Sequence, residues 1–133
     1  MSARRNHFLI AALFIVAGVV HFLVPDRYAG IMPGWVPFPR EMVYVSGVLE
    51  IAGGVGVLIP GVRRLTGICL IALLIAVFPA NLQMLANAIN GDASTLYKTA
   101  LFLRLPLQPL MIVWIYRATL RPDRLSQSPR TNL

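Results

Sequence analysis

The sequence predicts an all-α integral membrane protein, a four-helix bundle with both termini on the cytoplasmic side. Three observations carry this expectation. Hydrophobic residues make up 57% of the 133-residue chain and charged residues only 13%, too little polarity to coat a soluble domain. The apolar residues gather in four runs, each close to the roughly 20 residues a helix needs to cross about 30 Å of hydrocarbon. The first three runs show no polar face, whereas a helix on a soluble surface carries charge opposite its apolar stripe.

The first span covers residues 7–24. Arg4 and Arg5 precede it as they would a signal peptide, but no small-x-small pattern follows its apolar run, so an uncleaved helix is expected. Residues 25–41 differ in kind. Pro25, Pro33, Pro37 and Pro39, with Gly30 and Gly34, are incompatible with a regular helix. Tyr28, Ile31, Met32, Trp35, Val36 and Phe38 suit a folded cap at the outer headgroup level, either a lid over the interior or a plain interfacial anchor.

The second span, residues 42–60, holds Gly47, Gly53, Gly54 and Gly56, which permit close helix contact. In the third, residues 66–89, Pro79 deprives the Ile75 carbonyl of its usual donor, so a bend is expected there. The fourth covers about residues 97–117 and is interrupted by Arg104, Pro106, Gln108 and Pro109. No internal repeat is evident. Residues 1–121 read as one transmembrane domain, and the polar, proline-containing residues 122–133 as a disordered cytoplasmic tail.

Charge sets the topology. Arg4, Arg5, Arg63, Arg64, Arg117, Arg121, Arg124 and Arg130 fall on one side of four crossings, while Arg27, Arg40 and Lys98 on the other are offset by Asp26, Glu41 and Asp92. The positive-inside rule then places both termini in the cytoplasm and the protein in the cytoplasmic (inner) membrane. The net charge of +7 is mainly this signal. Its arginines are scattered over short segments without interleaved aromatics, so a nucleic-acid partner is not expected; the bilayer is the expected partner.

Each span also carries one strongly polar side chain at about the same depth: His21, Glu50, Asn81 and Arg104. Counting a rise of about 1.5 Å per residue from the outer ends, His21 lies roughly 5 Å deep, Arg104 roughly 10 Å, and Glu50 and Asn81 roughly 12 Å. They share one layer. Ser46 lies one turn above Glu50 and Gln108 one turn below Arg104 on the same faces, which completes a candidate polar core of six residues. An acid at such depth costs about 2.5–3.5 kcal/mol even after relaxation, so Glu50 has to be paired, protonated or wet. Arg104 is its expected partner, since a guanidinium holds a carboxylate through two hydrogen bonds. Such a pair either fixes helix register or builds a binding site. His21 is either a proton donor or acceptor beside Glu50 or an ordinary hydrogen-bonded side chain.

Several chemistries find no residues to carry them. Cys69 is the sole cysteine, so no dithiol relay forms within the chain, and it is expected to be a packed thiol. His21 and Glu50 are two ligands where a structural metal needs four. The run Gly53-Gly54-Val55-Gly56 lies inside a span with no lysine after it, unlike a phosphate-binding loop. No catalytic residue is assigned.

The strings Gly18-Val19-Val20-His21-Phe22 with Pro25, Pro37-Phe38-Pro39, Ser46-Gly47-Val48-Leu49-Glu50 with Gly53-Gly54, Pro60 with Arg63-Arg64, Ala76-Val77-Phe78-Pro79-Ala80-Asn81, and Arg104-Leu105-Pro106-Leu107-Gln108 resemble the DoxX-like family of small four-helix membrane proteins. The resemblance spans about residues 7–117. It implies an all-helical bundle and, by analogy with members that accompany quinone-linked redox systems, an accessory role without turnover of its own. Remote relatives that oxidise thiols use cysteine pairs, which this chain lacks. The first expectation is therefore an accessory redox component whose polar core binds a lipid-soluble ligand such as a quinone. The second is an assembly or chaperone-like protein that binds another membrane protein or a second copy of itself, and the third is a small transporter.

Overall fold

The computed structural model describes residues 2–121; the tail expected to be disordered lies outside the described residues. Five helices follow one another: α1 Ala3–Leu23, α2 Pro25–Ala29, α3 Pro39–Leu58, α4 Arg63–Asn90 and α5 Thr95–Thr119, with no strand among the described residues. The four long helices are each long and apolar enough to cross a membrane. Large apolar side chains such as Val16, Leu65, Phe102 and Leu110 stand exposed on their outer surfaces, the reverse of a soluble protein.

Local chemistry explains where the helices begin. Ser2 caps α1 by accepting from the Arg5 N–H, and Ser94 caps α5 by accepting from the Tyr97 N–H. Both α2 and α3 start on a proline, whose missing N–H would have no partner in a first turn anyway. For that reason the segment 25–41, although not one regular helix, contributes α2 and the first turn of α3. Phe38, ahead of Pro39, is the one described non-glycine residue with positive φ (48°), and it turns the chain into α3. At the other end of α3, Arg63 Nε donates to the Val57 carbonyl at 2.7 Å, satisfying one of the free carbonyls of the last turn.

The long helices form a ring in which α3 packs against α1 and α4, while α5 packs against α4 and, less extensively, α1. Consequently α3 and α5 stand on a diagonal. The end bearing Ala3 and Thr119 is closed: Ile10, Phe14, Val57, Leu70, Leu74 and Ile115 make one buried cluster there, drawn from all four long helices. His7 Nε2 adds a hydrogen bond to the Ala118 carbonyl at 2.8 Å, joining α1 to α5.

Glycines set the spacing of α1 and α3. A methyl group built on Gly18 would sit 2.6 Å from the Gly47 carbonyl oxygen, and one built on Gly54 2.9 Å from the Ala11 carbonyl oxygen. The same device serves α4, where Gly53 faces Leu70, Gly56 faces Thr66, and Gly67 receives Thr119. Close packing is thus what the glycines of the second span do. Cys69, expected to be packed, is instead exposed on α4: Gly67 and Leu70 face inward, and the two residues between them turn outward.

Candidate functional site

At the opposite end the ring opens, and the segment 30–38 folds across the opening. A cavity of about 340 Å³ lies there between α3 and α4, within the range of about 300–1,000 Å³ common for small-molecule sites. His21, Ser46, Glu50, Asn81 and Arg104 all line it. Ile31, Met32, Pro33, Trp35 and Val36 form its cover, so the capping segment borders an interior space as a lid would.

Ser46 and Glu50 are one helical turn apart on α3, each only 8% exposed. Glu50 Oε2 and Ser46 Oγ are both buried without a hydrogen-bond partner. His21 Nδ1 lies 3.2 Å from Glu50 Oε2 and 2.8 Å from the Ala17 carbonyl. A carbonyl only accepts, so the Nδ1 hydrogen goes to Ala17, and Glu50 Oε2 is left close to the ring yet unfilled. Tyr28 stacks on His21 with ring centroids 4.0 Å apart and holds the imidazole in place. Burial raises the Tyr28 phenol above its ordinary value, a shift that the Arg104 charge opposes.

The expected pair of Glu50 with Arg104 is not formed. The acid's close partner is His21 on α1, because α1 is packed along α3 through Gly18 and Gly47, whereas Arg104 lies on the diagonal helix across the cavity. Arg104 is exposed, and no carboxylate among the described residues is within salt-bridge distance of it.

Gln108 also departs from the expected arrangement. It is 5% exposed and does not line the cavity. It accepts from Asn81 Nδ2 at 2.7 Å and donates through Nε2 to the Leu74 carbonyl, clasping α5 to α4. The bonded carbonyl is that of Leu74, one residue before Ile75, the residue that loses its donor to Pro79, so the clasp sits beside the proline interruption without filling the Ile75 carbonyl.

Tyr28 was visible in the sequence only as part of an aromatic cap. The signal for its placement is Pro25 followed by Asp26: a proline at the first helical position and an acid in the first turn start a short helix that carries Tyr28 back over His21. Among the described residues, no three His, Cys, Asp or Glu side chains come together to hold a metal ion.

Fold and site together define a class: an all-helical bundle with four helices apolar enough to cross a membrane and a covered cavity at one end. Within that class the chain belongs to the family described as "Domain of unknown function (DUF8561)", whose model matches residues 10–119. All six polar-core residues fall inside the matched span. A search of curated proteins and a search of solved structures found no match.

Proposed function

We propose that this protein is a multi-pass component of the cytoplasmic membrane, with both termini cytoplasmic, whose capped cavity binds a lipid-soluble ligand with a small polar head, such as a quinone. The observation that carries the reading is that Glu50 and Ser46 line an otherwise largely apolar cavity while their oxygens Glu50 Oε2 and Ser46 Oγ are buried without a hydrogen-bond partner. A buried polar atom left unfilled costs about 1–3 kcal/mol, so a ligand that supplies a donor and an acceptor there recovers that energy. Leu49, Leu73, Ala76 and Val77 give the ring and the start of a tail an apolar wall.

The arginine distribution supports the topology, because Arg4, Arg5, Arg63, Arg64, Arg117 and Arg121 gather at the closed end of the bundle, against Arg27, Arg40 and Lys98 towards the other. The resemblance to DoxX-like proteins supports an accessory place beside a membrane redox system. Native mass spectra of gently extracted wild-type protein and Glu50→Gln test the reading. A small-molecule mass carried by wild type and lost from the folded variant is expected. A bare chain in both, or a bound partner protein in place of a small molecule, would turn the assignment towards assembly.

A further inference from the structure

A second, more open cavity of about 540 Å³ adjoins the first, and Tyr28, Ile31 and Arg104 line both. Two guanidinium groups, Arg27 from α2 and Arg104 from α5, border this outer cavity with the phenols of Tyr28 and Tyr97. Neither arginine has a carboxylate within 4 Å among the described residues. Asp26, the single acid on the rim, is turned to Arg40 at 3.3 Å. Two like charges on the lining of one concave surface repel each other, an anion between them offsets that repulsion, and guanidinium groups match phosphate oxygens through paired N–H donors. Beside them Val24, Ile31 and Met84 offer an apolar wall.

We propose that this cavity binds a phosphate-bearing group held by Arg27 and Arg104, with the apolar wall receiving the first carbons of an attached acyl chain. The shared chemistry is a phosphate monoanion or diester. The apolar wall and the position of the cavity at an end of four membrane-length helices favour a lipid headgroup over free phosphate. Arg27 borders only the outer cavity, so a change there leaves the lining of the inner one untouched.

The test is native mass spectrometry of detergent-purified protein titrated separately with phosphatidylglycerol, phosphatidylcholine and sodium phosphate. Wild type should retain phosphatidylglycerol about tenfold more tightly than phosphatidylcholine. Arg27→Gln and Arg104→Gln should each weaken that retention about tenfold, the loss of one charge-assisted contact. Arg27→Lys should fall between wild type and Arg27→Gln, since it keeps the charge and loses the fork. Phosphatidylglycerol held against excess sodium phosphate assigns the site to a lipid; displacement by phosphate at equal concentration assigns it to a free anion. Equal retention of the two lipids by wild type, or an undiminished preference in the folded Arg27→Gln/Arg104→Gln protein, would overturn the proposal.

Discussion

Replacing Gly18 with alanine tests how tightly the fold holds the site. The added methyl would lie 2.6 Å from the Gly47 carbonyl oxygen and 2.7 Å from Ile51 Cγ1, where ordinary contacts begin near about 3.4 Å. Relief takes a displacement of about 0.8 Å between α1 and α3, and Gly54, pressed against Ala11 and Ile15, prevents a free slide. Overpacking of this kind costs about 1–3 kcal/mol. The same shift would carry His21 Nδ1 from 3.2 Å to about 4 Å from Glu50 Oε2, so ligand retention should fall along with stability. Gly34 is the control, because a methyl there meets nothing within 4 Å. Gly34→Ala should be neutral or stabilise by up to about 1 kcal/mol through the unfolded chain. The assay is reversible unfolding in mixed micelles, followed by helical circular dichroism. A Gly18→Ala protein as stable as Gly34→Ala would refute the glycine-spacing argument.

Other expectations follow from the same contacts. In a double-mutant cycle on Asn81→Leu and Gln108→Leu, the coupling should be about 0.6–1.7 kcal/mol, the range for hydrogen bonds between membrane helices; additive losses would deny the clasp. Trp35→Ala removes a cover residue that is 75% exposed, so ligand should leave faster while the unfolding midpoint stays within about 0.5 kcal/mol of wild type. On a Cys69→Ala background, a membrane-impermeant maleimide should label Gly34→Cys in intact cells and Ser2→Cys only after permeabilisation; the reverse order would invert the topology.

The sequence made the helices legible because hydrocarbon demands long unbroken apolar runs, and those runs are visible without knowing what packs where. The ends of the helices moved by a few residues where caps decide: Ser2 and Ser94 extend α1 and α5, and Pro39 starts α3 three residues earlier than expected. Within the site, the one-turn spacing of Ser46 and Glu50 was readable, since both lie on the same helix. The partner of Glu50 was not. Depth along each helix is a one-dimensional quantity, and it favoured Arg104, roughly 10 Å deep, over His21, roughly 5 Å deep, as the neighbour of Glu50 at roughly 12 Å. Which of them reaches the acid depends on which helices are neighbours, and that is set by the Gly18–Gly47 contact between α1 and α3. Gln108 escaped for a related reason: its role comes from a backbone carbonyl on another helix, which no side-chain pattern advertises.

The central claim, a ligand cavity with Glu50 and Ser46 in its wall, has a built-in reporter. Trp35 lines the cavity, and Trp114, packed at the far end of the bundle, can be silenced as Trp114→Phe. Titrating that protein with decylubiquinone and following Trp35 fluorescence should give saturable quenching that Glu50→Leu/Ser46→Ala abolishes while the helices stay folded. Quenching that rises without saturation, equal in both proteins, would mean that the quinone meets Trp35 only through the micelle and that the cavity does not hold it.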